Sequence, residues 1–227
     1  MTEAALEAMK GKARPLEVQV ETAGRRKWAP RGYEQSVPGT VVMFTLLVLL
    51  TSGAATLVVE RKEGILRRLA SSPLGRGSIL GGKWLARMCV AAIQISFGMV
   101  TGSLVFGVRW GENLWAIALV LAAYASLAAC AALMLGNWAK SPGQAIAVAV
   151  VLSNGLAAIG GCWWPVEIVP AWAQKAALLT PTGWAMDAIH KLMSFGLPAS
   201  SVWVHVAVLS TAALGLGWAT ARRMKFE

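Results

Sequence analysis

The chain has 227 residues, 56% of them hydrophobic and only 14% charged, where a soluble globular domain carries about a quarter charged residues. A mean hydropathy of +0.58 and a net charge of +10 fit an all-α, polytopic helical membrane protein with basic loops rather than a nucleic-acid binder. Three cysteines without close spacing exclude a disulfide scaffold and a cysteine metal site, and residues 1–38 lack the apolar core of a signal peptide.

Residues 1–38 carry seven basic residues and five glutamates with little apolar periodicity, which predicts a poorly ordered segment. Charge-free apolar runs then predict five spans, over about 39–59, 89–108, 114–136, 145–164 and 202–221. Tryptophans such as Trp84, Trp110, Trp115, Trp138, Trp203 and Trp218 lie near the span ends, where an indole suits the membrane interface. The loop between the first two spans holds Arg61, Lys62, Arg67, Arg68, Arg76, Lys83 and Arg87. Lys140 and the tail residues Arg222, Arg223 and Lys225 belong to the same side. The positive side is expected in the cytoplasm, with the C-terminus inside and residues 1–38 outside the cell inner (plasma) membrane.

Within that loop Ile65, Leu66, Leu69 and Ala70 fall at helical spacing on one face, and Ser71, Ser72, Pro73 and Gly75 end the pattern. A short cytoplasmic amphipathic helix over about 60–73 is predicted, followed by a turn and a lead-in to the second span. It reads equally as an anchor on anionic lipid and as a docking element for a partner. Gly77, Gly82 and Lys83 imitate a phosphate-binding loop, but Trp84 stands where that loop needs a hydroxyl and no strand precedes it. ATP and Mg, if used, are therefore expected on a partner subunit.

The run from Asn154 to Pro198 is too apolar for a solvated loop, yet holds Pro165, Pro170 and Pro181. Two short re-entrant outer helices, Pro170–Leu179 and Pro181–Phe195 within about 166–195, are predicted, each with proline in its first turn. His190 reads as an interfacial residue, and His205 and Gln94 as helix-to-helix hydrogen-bonding groups. Gly98 and Gly102 offer a close-packing face. The predicted spans contain no Asp, Glu, Lys or Arg, which argues against an ion-coupled carrier. No nucleophile–base pair, cofactor site or metal site stands out, so no catalytic residue is expected and the chain reads as a non-enzyme.

Five ordered motifs carry a resemblance: VPGTVVMF from Val37, ERKEGILRRLASSP from Glu60, LGGK from Leu80, PVEIVPAWAQ from Pro165 and LTPTGWAMDAI from Leu179. Together, from about Tyr33 to the C-terminus, they resemble the permease half of type-2 ABC exporters of the drug-resistance and polysaccharide-export type. The resemblance implies that residues 39–227 form a transmembrane domain working with an ABC ATP-binding subunit and a second permease copy or paralogue in membrane lipid. It implies a coupling helix at Glu60, Glu63, Gly64, Leu66, Arg68, Leu69, Ser72 and Pro73. It also implies outer helices closing the path at Pro165, Pro170, Trp172, Pro181, Trp184 and Asp187. Export of a hydrophobic, drug-like, lipid or glycan substrate is the implied function. A non-transporting scaffold or inactive truncated remnant is the alternative. The family pattern has six spans and this chain five, lacking the first. That leads to the expectation of a truncated gene product or shortened gene model, a five-span subunit, or a first span on a separate polypeptide.

Overall fold

A computed structural model describes residues 30, 32–71, 73 and 75–224. Residues 1–29, the bulk of the segment expected to be poorly ordered, lie outside the described residues, as does Ser72. Among the described residues eight α-helices follow one another: α1 Tyr33–Lys62, α2 Ile65–Ala70, α3 Arg76–Phe106, α4 Leu114–Trp138, α5 Pro142–Ile159, α6 Ala171–Ala177, α7 Pro181–Met193 and α8 Trp203–Arg223. Short 3₁₀ turns at Val166–Ile168 and Ala199–Val202 precede α6 and α8. Five of the helices are long and apolar enough to cross a membrane.

A long apolar helix covers each of the five expected spans, with different ends. α1 begins at Tyr33 rather than Gly39 and carries Pro38 within it. A proline so near the helix start removes only one early hydrogen bond, so helix continues through it. The largest difference is α3, which begins at Arg76 where a turn and lead-in were expected before Cys89. Its charged first half is helical because Lys83 pairs with Glu60 of α1 and Arg87 hydrogen-bonds Ser52 of α1 at 3.3 Å. α5 stops at Ile159, earlier than the expected Trp164, because the chain turns at Gly160 and Gly161, the latter at φ +78°.

α1 and α4 form the centre. Their apolar windows are 56% and 61% buried, against 17–22% for α3, α5 and α8, whose outward faces carry Ile93, Phe97, Leu104, Val151 and Leu214. α1 packs on α4, α5 and α3, and α4 packs on α1, α8 and α7. Small residues set the closeness of these crossings. A β-carbon on Gly53 would stand 2.7 Å from that of Ala132, and one on Gly136 would stand 2.9 Å from the Ala54 carbonyl oxygen. The G-x-x-x-G pair does pack: β-carbons on Gly98 and Gly102 would each lie 2.7 Å from a methyl of Val41 or Val37. Tyr124, fully buried, donates to the Val42 carbonyl at 3.0 Å and ties the two central helices together.

The ends of the bundle sort by charge. Arg61, Lys62, Arg67, Arg68, Lys83, Lys140, Arg222 and Arg223 gather at one end, the basic end, where Asn137 donates to the Arg223 carbonyl at 2.8 Å. The opposite end holds α6, α7 and the aromatic contacts Tyr33–Phe106 and Trp115–Trp203.

Candidate functional site

Two segments of this fold can act on something outside it, one at each end. At the basic end α1 stops after Lys62, and two residues later Gly64 adopts φ 71° and starts α2. Only glycine adopts that left-handed conformation without steric cost, so the direction of α2 is set by this one residue. Leu66 anchors α2: it is 1% exposed and packs with Leu57, Leu80, Leu133 and Met224, and Leu69 packs beside it. The buried face is narrower than the periodicity predicts. Ile65 and Ala70 are exposed together with Glu63, Arg67, Arg68 and Pro73, so the outward surface mixes charge with aliphatic carbon.

Glu60 differs from the other expected coupling residues. It lies on α1 and turns inward to pair with Lys83 of α3. Its neighbour Arg61 donates to the Asn137 carbonyl at 3.1 Å and to the Ala139 carbonyl, placing a cation on the last carbonyls of α4. Both charges therefore brace the bundle beneath α2 instead of decorating its surface.

At the opposite end the two short helices behave differently. α6 is peripheral, with Trp172 74% exposed, and Pro170 before it is exposed. α7 is inserted into the bundle against α4 and α1, with Met186, Ala188 and Ile189 fully buried. Thr180 caps α7 by accepting from the Gly183 amide at 3.0 Å, and Pro181 occupies the first turn. Thr182 donates to the Leu156 carbonyl at 2.6 Å, and a β-carbon on Gly160 would collide with Thr182. Gln35 of α1 donates to the Gly161 carbonyl at 2.8 Å, and a β-carbon on Gly39 would strike the Cys162 carbonyl. The top of α1 is thus clamped to the turn that leads into α6 and α7. Pro165 lies partly buried in that turn.

The charged groups of α7 form a tether that the sequence reading left out. His190, expected at an interface, is 1% exposed, and its Nδ1 lies 2.9 Å from Glu167 Oε1 in the 3₁₀ turn before α6. Asp187 Oδ2 accepts from Lys191 Nζ at 2.7 Å and lies 2.6 Å from His205 Nε2 on α8. The expectation for His205 as an interhelical hydrogen-bonding group matches this contact; Gln94 differs, since its buried carbonyl oxygen has no partner among the described residues. Trp184 stacks edge-on against His205 at 5.1 Å and donates to the Leu178 carbonyl at 2.7 Å. Burial pushes the Glu167 carboxyl up, but the hydrogen bond and charge of His190 outweigh it and hold the group below its ordinary value. For Asp187 burial is likewise outweighed, by the bonds and charges of His205 and Lys191. The arrangement can hold three elements together, and the described residues contain no group of three candidate metal ligands.

Among the described residues, five helices long and apolar enough to cross a membrane, with a short charge-bearing helix at one end of the bundle and a tethered short helix at the other, are the architecture of a multi-pass membrane protein. The chain belongs to the ABC-2 family transporter proteins, whose family profile matches residues 3–222. It is 24% identical over 164 residues to the linearmycin resistance permease protein LnrN of Bacillus subtilis (strain 168), covering 72% of this chain and 42% of that one. It is 21% identical over 179 residues to the probable multidrug ABC transporter permease YbhR of Escherichia coli (strain K12), covering 77% of this chain and 49% of that one. The chain thus spans about half the length of the relatives it matches.

Proposed function

We propose that this chain is the permease part of an ATP-driven exporter of the cell inner membrane, with its basic end in the cytoplasm. The observation that carries the reading is α2, a six-residue helix with Leu66 sunk into the bundle, Arg67 and Arg68 turned outward, and Glu63 exposed just before it. Such a helix has a fixed direction and a charged register, which suits docking into a cleft of a separate ATP-binding subunit that holds ATP and Mg. A second permease copy or paralogue completes the assembly. The relatives' names, a linearmycin resistance permease and a probable multidrug permease, favour a hydrophobic, drug-like cargo over a glycan.

The route for coupling is short. Closure of the ATPase pair pushes α2, which the two-residue link of Glu63 and Gly64 joins to α1. α1 runs for 30 residues, about 45 Å at 1.5 Å per residue, to the clamp at Gly161 and Cys162. Displacement of α1 then bears on the turn that precedes α6 and on α7, where Trp184 and Asp187 sit. Nucleotide shifts the transport equilibrium only by binding the two permease states differently. The test is purification of the chain from native membranes in mild detergent. A stoichiometric ATP-binding subunit is expected, and Glu63→Ala or Arg68→Ala should uncouple ATP hydrolysis while the chain stays in the membrane. Recovery of the folded chain alone would favour the scaffold reading.

A further inference from the structure

Arg87 has no role in either segment. Its Nη1 makes one hydrogen bond, to Ser52 Oγ at 3.3 Å, and it belongs to none of the ion pairs among the described residues. Ser52 lies ten residues before the end of α1, about 15 Å along the helix, so the guanidinium sits within the spanning part of the bundle. A cation at such depth, without a carboxylate, marks a site that handles an anion or leads to one.

The surroundings give that site a shape. Arg87 opens into a cleft of about 270 Å³ between α1 and α3, lined also by Gly53, Leu57, Glu60, Leu69 and Lys83. Lys83 lies one turn before Arg87 on the same helix and is neutralised by Glu60, which leaves Arg87 as the uncompensated charge. Two glycines add no side chain to the lining. A β-carbon on Gly53 would stand 3.6 Å from Arg87 Cδ and Nε, and one on Gly82, also in the lining, would meet nothing within 4 Å. Apart from Ser78, the remaining walls are aliphatic. A forked cation at the end of an apolar slot matches a phosphate or carboxylate joined to a hydrocarbon body, since guanidinium binds such groups in a bidentate manner.

We propose that the cleft between α1 and α3 is a binding site for the phosphate head group of an anionic amphiphile, with Arg87 as its anchor. The occupant lies against Leu69 of α2, between the docking helix and the bundle. The assignment stands on this chain's own cleft and does not depend on the transport reading.

Native mass spectrometry of the full chain in detergent tests this, with phosphatidylglycerol, phosphatidylcholine and dodecyl phosphate as probes. One phosphatidylglycerol or one dodecyl phosphate should bind about tenfold tighter than phosphatidylcholine, and Arg87→Gln should abolish that preference. Arg222→Gln, a basic-end change outside the cleft, should leave it intact, and Arg87→Lys should keep part of it. Displacement of phosphatidylglycerol by dodecyl phosphate would identify the site as open to a free amphiphile; resistance to displacement would make it a resident lipid site. An unchanged preference in Arg87→Gln, or an equal loss in Arg222→Gln, would overturn the proposal, as would the absence of any preference in the wild-type chain. If Arg87→Gln does not fold, Gly82→Leu decides: it fills the cleft and leaves both cations in place, so binding must fall, and wild-type binding would overturn the site.

Discussion

The short helices at the two ends of this bundle use charge in opposite ways. At the basic end α2 hides one leucine and, with Glu63 just before it, shows Arg67 and Arg68 to the outside. At the opposite end α7 hides nearly everything, and its ionisable residues Asp187 and His190 face protein partners on α8 and in the turn before α6. A helix that must meet a partner keeps its charges unpaired and its attachment small. A helix that must hold its place in a bundle pairs its charges within the chain. The difference predicts that substitutions near α7 act on stability, and those on the surface of α2 act on coupling alone.

The sharpest break in that comparison is steric. Gly160→Val places carbon on Thr182 at the junction of α5 and α7, and overpacking of this kind costs about 3 kcal/mol. The melting temperature of the detergent-solubilised chain should fall by several degrees or the chain should fail to accumulate. Next comes His205→Ala, which leaves the partly buried Asp187 with Lys191 as its remaining partner; a loss of about 2 kcal/mol is expected, read in the same melt. Gly64→Ala forces a β-carbon into a left-handed position, at about 1 kcal/mol. Because Gly64 aims α2, ATPase coupling should suffer more than the melt does.

Acid should loosen the α7 end only slightly. Glu167 and Asp187 are held below their ordinary values of 4.5 and 3.8. A carboxylate with a lowered folded pKa stabilises the fold above its unfolded pKa, and that contribution is lost as pH falls through the folded value. Stability should therefore decline from about pH 4.5 downward, with Glu167→Gln flattening part of the slope. Smallest of all in stability should be Arg68→Ala, which removes an exposed charge: the melt should not move. A clear destabilisation there would erase the distinction between the two ends.

The sequence made the bundle legible because long charge-free apolar runs mark its spans, and proline and glycine mark where α6 and α7 begin. It misplaced the start of α3, because Arg76, Lys83 and Arg87 read as loop until Glu60 and Ser52 are brought beside two of them by the crossing of α1. It found Leu66 and Leu69 through local periodicity, and Gly64 through the family resemblance, yet assigned Ile65 and Ala70 to the buried face. A six-residue helix lying against helix ends covers a narrower stripe than one lying flat on a layer. The His190–Glu167 contact joins residues 23 apart, and the sole local hint was a histidine and a glutamate inside an apolar segment. Pairings between elements leave no periodic trace.

The unequal lengths of the spans carry a consequence for the surrounding bilayer. α5 has 18 residues and α3 has 31, so at 1.5 Å per residue they measure about 27 Å and 46 Å around a hydrocarbon layer of about 30 Å. The long helix accommodates the layer by tilting or projecting, whereas the short one has no slack. The lipid beside α5 must thin to meet it, so this protein should favour thin membranes, and lengthening the acyl chains of a reconstituted bilayer should strain that face first.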